Sequence, residues 1–535
     1  MGATLRATRA LVLLAGFYLL GFILLGALVA IDWTASQHTA GAAGLKIWIL
    51  SALLAIPIVQ GMFTLRAPQG DGPDGVPVTE QQEPSLWAVV RSLAEQTGTH
   101  APDEIRLVGE VNAAVSEEAR LLGLRPGKRR LLIGLPLMTG LSEPQLMAVL
   151  AHEFGHYSNH DTRLSAINRR GWTQVTRTVA ALHERADKKA AKERARLEKK
   201  EAARASRDGE EAREVDTGFA GLSYRLAALP FKAYGHLYIR CMLGTMRRQE
   251  YAADLTAARI TGRDATSSAL REIPVLDAAF GFYMQSYATL GTGAGLLPPP
   301  GEVFGGLRHL LVGRAGELAE MRRSMPEEEP SPYDSHPPIA DRVARIEQLP
   351  YDGRSLAGAR PSLALLSDPA RLFAELEHAA LTPAARQLRR APDWQHLVHE
   401  SMAQYADASA EPFRQAVREV QGGDGSLSTA LDAIEAGRLW QIAERLPVPE
   451  EADAEAATGR ATREFTRPVL RKALSSLVAG ELVQRGWAHW ELSWTESAKL
   501  RMPDGYEEGL KSALDQAVAD VPDTRALRQM FPPTY

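Results

Sequence analysis

Two long apolar runs dominate the start of the chain: "ALVLLAGFYLLGFILLGALVAI", Ala10 to Ile31, and "LKIWILSALLAIPIVQGMFTL", Leu45 to Leu65. At 1.5 Å of rise per residue, helices of this length cross a hydrocarbon core of ~30 Å. The first run holds no charge. The second holds only Lys46, one position from its end, where the ammonium can reach the headgroups. A cleaved signal peptide is the rival reading of the first run, but such peptides have apolar cores of only ~7 to 15 residues. A second span following so soon favours a retained hairpin over residues 1–66. Arg6 and Arg9 precede the first span and Arg66 follows the second, while Asp32 and His38 lie between them. This bias places the N-terminus and everything after Leu65 in the cytoplasm, with Lys46 as the opposing charge. The expectation is a multi-pass protein of the plasma membrane.

The pattern then changes. Residues 67–84, "APQGDGPDGVPVTEQQEP", are rich in Gly, Pro and acid and read as a linker. A helix is expected over 85–96, followed by strand-like pieces at "EIRLVG" from Glu104, "NAAVSEE" from Asn112 and "RRLLIGLPL" from Arg129. This predicts a small sheet just ahead of a helix whose N-cap is Ser142, with Gln145 placed to complete a capping box. From His183 to Asp216 a mixed-charge run interrupts the apolar periodicity and reads as a solvated helix or arm that cannot cross a bilayer.

The segment 219–246 combines a cationic stripe of Arg225, Lys232, His236, Arg240 and Arg247 with apolar and aromatic surface, and Pro230 is expected to kink it. It suits a helix on an anionic leaflet or one packed on the core. "GTGAGLLPPPGEVFGGL", Gly291 to Leu307, lacks GK[ST] and reads as a flexible loop rather than a phosphate site. Residues 360–535 read as a helical region of unknown role. Trp487, Trp490 and Trp494, spaced three and four apart, are expected on one helical face, as core or as a peptide-binding surface.

Composition narrows the class. The 535 residues are 45% hydrophobic and 24% charged, which fits a globular protein with membrane content. A formal net charge of -4 provides no strong field for nucleic acid. The single cysteine, Cys241, excludes an internal disulfide and any thiolate-rich metal site.

The candidate chemistry lies in "AVLAHEFGHYSNHD", Ala148 to Asp161. One helical turn separates His152 from His156, so both imidazoles can reach one ion, while Glu153 sits about 100° around the axis and can address a water beside it. With 13 histidines in the chain, chance alone would write HExxH in about one such chain in fifty. A helix with two surface histidines is therefore the reading to displace. "RRQEYAADLTAARITG", Arg247 to Gly262, offers what zinc still needs: Glu250 as a third ligand and Asp254 one turn on to orient a ligand histidine. His160, Asp161 and Tyr251 read as helix-end, capping and packing residues.

Taken in order, these blocks resemble the HtpX-like membrane zinc metallopeptidases, the family that includes the CAAX prenyl endopeptidases. "VNAAVS" resembles the family's NAF-type strand, "LLIGLPLMTGLSEPQLMAVLAHEFGHYSNHDTR" its strand and active-site helix, and "RRQEYAADLTAARITG" its third-ligand helix. "SHPPIADRVARIEQL", Ser335 to Leu349, resembles its closing HPP segment. The resemblance runs from about 85 to 350. It implies a mainly α, gluzincin-type zinc metallopeptidase domain with a small β-sheet, behind the transmembrane hairpin and ahead of the helical C-terminal region. It also implies one Zn2+ per chain, Glu250 as ligand, Asp254 behind a ligand histidine, and His336 near the site stabilising the transition state. Two features depart from it. Met246 stands where the family has Ser ahead of Arg247, and the charged 183–216 run stands where many members have two further spans.

The expected function is hydrolysis of peptide bonds in membrane or misfolded proteins, with Glu153 as general base. The alternative is a membrane-bound scaffold that uses the same fold to bind partners. Two spans are too few to build an intramembrane CAAX chamber. The partners expected are a protein or peptide substrate and the lipid bilayer, without nucleic acid; oligomeric state is open.

Overall fold

The computed structural model describes residues 3–38, 41–63, 75–117, 127–158, 162–208, 221–324, 337–446 and 460–532. The chain divides into two compact units, the first made of 1–274 and 324–367 and the second of 275–323 and 368–535.

In the first unit, α1 (Ala3–His38) and α2 (Ala42–Phe63) form an antiparallel hairpin, and both have the length and hydropathy to cross a membrane. The first helix is longer than the apolar run: it continues past Ile31 and carries Asp32 within it. Beyond the hairpin, α6 (Thr162–Asp208) and α7 (Leu222–Thr261) pack against it. Phe17, Ile58, Met62, Val175, Leu182, Tyr224, Ala228 and Phe231 share one buried cluster there. Gln174 donates to Tyr18 Oη at 2.9 Å, and Tyr234 Oη donates to the Leu13 carbonyl at 2.5 Å.

The 219–246 segment therefore has one packed face, but Leu222, Leu226, Leu229 and Leu237 stay exposed on another. Helix α7 runs through Pro230 without ending, because packing on three neighbours offsets the one lost backbone hydrogen bond. The charged stretch after Asp187 is helical, as expected, and mostly exposed up to residue 200.

The sheet has the order β1-β2-β4-β3, from β1 (Val76–Val78), β2 (Glu104–Val108), β3 (Ala113–Glu117) and β4 (Arg129–Gly134). Strands β2 and β4 are parallel, with Ile105 opposite Leu131, and β3 runs antiparallel to β4 with Ala113 opposite Ile133. A helix, α3 (Pro84–Gln96), buries Leu86, Trp87, Val90 and Leu93. The "RRLLIGLPL" strand stops at Gly134, and α4 (Leu135–Gly140) begins at once. Pro136 explains the switch, since proline suits a first helical turn and cannot donate to a ladder. Helix α5 (Glu143–Ser158) follows, and α8 (Arg263–Tyr283) begins two residues after α7 ends.

The second unit is mainly helical. Helices Trp394–Gln421, Leu427–Glu435, Arg460–Gln484 and Tyr506–Ala517 enclose a core that includes Phe413, Leu431, Ile434, Leu474 and Leu514. Asp393 and Ser426 cap two of them, accepting from the backbone N–H of His396 and Thr429. The three tryptophans do not share a helix. Gly486, at φ 70°, follows the end of the Arg460–Gln484 helix and turns the chain. Trp487 then stacks on Phe531, Trp490 enters the strand His489–Glu491, and Trp494 stacks on Tyr287 at 4.7 Å. The Gly291–Leu307 stretch is built rather than loose: Leu296 and Leu297 are buried and pair in parallel with Arg389 and Arg390.

Candidate metal centre

Ser142 and Gln145 start α5 much as the sequence suggested. Gln145 Oε1 accepts from the Ser142 backbone N–H at 2.9 Å and from its hydroxyl at 2.8 Å, and Gln145 Nε2 donates onward to Ser268 on α8 at 3.2 Å. Three turns along, His152 and His156 face α7. Their Nε2 atoms are 3.1 Å apart and their rings nearly perpendicular, at 88°.

Gly155 lies between them and lets the two helices approach. A Cβ there would come within 3.1 Å of Ala253 Cα. That closeness brings the next helical ridge of α7 to the histidines. Glu250 Oε2 is 3.5 Å from His152 Nε2, and Glu250 Oε1 is 3.6 Å from His156 Nε2.

One donor atom from each of His152, His156 and Glu250 lies within 4.8 Å of the others. Two imidazole nitrogens and a carboxylate oxygen are a familiar donor set for zinc, and bonds of ~2.0–2.1 Å at tetrahedral angles would hold such atoms about 3.3 Å apart. The separations of 3.1, 3.5 and 3.6 Å bracket that value. The residues fit the ion.

Asp254, one turn past Glu250, stands behind the first histidine. Its Oδ1 lies 2.9 Å from His152 Nδ1, which leaves Nε2 to face the cluster. Burial pulls the His152 pKa down, but its hydrogen bonds to Asp254 and Glu250 outweigh this and hold it at about 9. Burial likewise pushes the Asp254 carboxyl up, and hydrogen bonds from Arg342 and His152 more than offset it, leaving it below the usual range.

Arg342, on the helix Ile339–Glu347, is only 7% exposed. Its Nε meets Asp254 Oδ2 at 2.9 Å and its Nη2 meets Oδ1 at 2.7 Å. Sequence reading had passed it over. The signal was present, because Arg342 falls on the face that buries Val343 and Ile346, and an arginine at such a position requires an acidic partner.

Glu153 lines a cavity of about 230 Å³ with Val111 and Asn112 just ahead of β3, Ala113 at its start, Val149 from α5, and Ala269, Leu270 and Ile273 from α8. Ala113 is the first residue of the edge strand β3, and Asn112 immediately precedes it. The structure brings five sequence-selected residues together: His152, Glu153, His156, Glu250 and Asp254. His336, the sixth, lies outside the described residues, as do His160 and Asp161. Tyr251 packs under the Arg345 guanidinium, 4.2 Å from ring centre to carbon, in keeping with a supporting role.

The chain is similar to a protease HtpX homolog of Kineococcus radiotolerans, 25% identical over 275 residues, covering 51% of this chain and 76% of that one. A protease HtpX homolog of Listeria monocytogenes is 33% identical over 89 residues, covering 17% of this chain and 28% of its own length. Among solved structures, S. mikatae Ste24p aligns over 60% of this chain and 62% of its own at 15% identity, with a TM-score of 0.27 that is too low to bear on the fold. Residues 80–349 match the model of peptidase family M48, and the chain belongs to that metallopeptidase family.

Proposed function

We propose that the protein is a membrane-anchored zinc endopeptidase whose ligands are His152, His156 and Glu250, with one Zn2+ per chain. The observation that carries this reading is the convergence of those three side chains beside Glu153 at a cavity bordered by a sheet edge. Zinc, when bound, supplies Lewis acidity for the scissile carbonyl and lowers the pKa of a water toward neutrality.

The chain's own residues do the rest. An extended peptide would pair along the outer edge of β3, and a side chain next to the scissile bond would enter the apolar recess of Val149, Ala269, Leu270 and Ile273. Glu153 would take the proton from the attacking water and return it to the leaving amine. His336 would donate to the oxyanion, a contact worth ~3–4 kcal/mol in rate.

We read residues 1–66 as the membrane anchor, 67–84 as its linker, whose Val76–Val78 part is instead strand β1 of the peptidase sheet, 85–350 as the peptidase domain with the 183–216 insert, and 360–535 as an appended helical region. Support for the anchor comes from the exposed leucines, isoleucines and phenylalanines along α1 and α2 and from Trp33 and Trp48 near the hairpin's closed end, 68% and 54% exposed. Tryptophans at that level suit a membrane interface. The N-terminus and peptidase domain would then lie in the cytoplasm, at the plasma membrane, where unfolded or membrane proteins are the natural substrates.

The direct test is hydrolysis of casein by the full chain in detergent. Cleavage that disappears with a chelator and returns with zinc supports the enzyme. A zinc-loaded chain that binds casein without cutting it supports the scaffold alternative.

A further inference from the structure

Arg342 reaches the candidate centre from outside its ligand set. It grips both oxygens of Asp254, at 2.9 and 2.7 Å. Its Nη1 lies 3.5 Å from Glu250 Oε2, and its Nη2 lies 3.5 Å from His152 Nδ1. Asp254 Oδ1 therefore receives two donors, Arg342 Nη2 and His152 Nδ1, while Oδ2 is fixed by Arg342 Nε.

A carboxylate held by one imidazole alone can rotate about its Cβ–Cγ bond. One gripped by a planar fork cannot, because both lone-pair directions are committed.

The fork is in turn held by its own helix and not by Asp254 alone. Val343 and Ile346 are buried, Arg345 lies over Tyr251 one turn along α7, Glu347 accepts from Arg271 at 2.6 Å, and the Leu349 carbonyl accepts from Arg263 at 3.2 Å. The helix Ile339–Glu347 is thus pinned to α7 and α8 by contacts that do not involve the candidate ligands.

We propose that Arg342 is a positioning residue for the metal centre: it locks the Asp254 carboxylate, which sets the His152 ring and keeps His152 Nε2 directed at the ion. Metal affinity then depends on the docking of the 339–347 helix. This inference rests on the reading of His152, His156 and Glu250 as ligands.

Cobalt titration of the metal-free full chain in detergent tests it, with affinity read by chelator competition and geometry by the visible d–d spectrum. Arg342→Lys keeps the charge and the fold but removes the fork. It should bind cobalt 10- to 100-fold more weakly, the usual cost of losing an outer hydrogen-bond partner, with a changed d–d band. Combined with Asp254→Asn it should add little to the loss from Asp254→Asn alone, since both act through one carboxylate.

Wild-type affinity and an unchanged spectrum in Arg342→Lys would overturn this inference alone, as would additive losses in the double variant. A wild-type chain that takes up no cobalt would remove the ligand reading and this inference with it.

Discussion

Asp254 Oδ1 lies 2.9 Å from His152 Nδ1, across two helices that the sequence separates by about a hundred residues. The contact keeps a proton on Nδ1, so the proton given up when metal binds is the one on Nε2. Asp254→Asn presents either an amide donor or a weaker carbonyl acceptor, so it should lower zinc affinity ~10- to 100-fold without unfolding the chain. Competition against a chromophoric chelator measures this. Unchanged affinity would remove Asp254 from the centre.

Proton release provides a second check. In the metal-free protein the His152 pKa is held at about 9, raised above its ordinary value. A raised pKa means that protonated His152 stabilises the metal-free fold at pH below ~6.5, and that this stability is lost as pH rises through about 9. Between pH 7 and 8 His152 should be protonated before metal arrives, so zinc uptake there should release about one proton. Calorimetry in buffers of different ionisation enthalpy counts it, and binding without proton release would contradict the assignment.

Gly155 sets the spacing of α5 and α7. An added Cβ would sit 3.1 Å from Ala253 Cα and 3.3 Å from Ala253 Cβ, so the helices must give by a few tenths of an ångström. Alanine gains ~0.5–1 kcal/mol of helix propensity over glycine, which roughly offsets that strain. Gly155→Ala should therefore be near neutral in thermal stability. Gly155→Val adds two methyls and loses most of the propensity gain, so it should cost ~1–3 kcal/mol and weaken zinc binding as Glu250 moves away. Thermal unfolding with and without zinc separates the two effects.

The oxyanion donor proposed above is His336. His336→Phe should lower kcat by ~10²–10³ while leaving zinc affinity and KM close to wild type. A loss of zinc instead would make His336 a ligand.

Most of the candidate site is legible in the sequence because it is local. The i, i+4 histidines, the glutamate beside them, the Ser142 cap and the Glu250–Asp254 turn each lie within one helix, where spacing dictates which side chains share a face. Arg342 was not legible in the same way. Its partner Asp254 is 88 positions away, and only its place on an otherwise apolar face pointed to burial.

The boundaries that differed have similar causes. A proline turned the end of the "LLIGLPL" strand into a helix, and a left-handed glycine scattered Trp487, Trp490 and Trp494 that spacing alone had put on one face. At Pro230 helix α7 continues, its packed face holding the chain helical past the proline. The second unit is helical, as its periodicity indicated, yet the pattern of residues 360–535 names no chemistry.

If Glu153 moves the proton in the proposed zinc-dependent hydrolysis, the casein turnover of zinc-loaded Glu153→Gln must collapse. The glutamine keeps the size of the side chain and leaves His152, His156 and Glu250 intact, so zinc should bind as in the wild type. The expected result is a fall in kcat of ~10²–10⁴ with zinc content unchanged. Wild-type turnover by a zinc-loaded Glu153→Gln protein would contradict it.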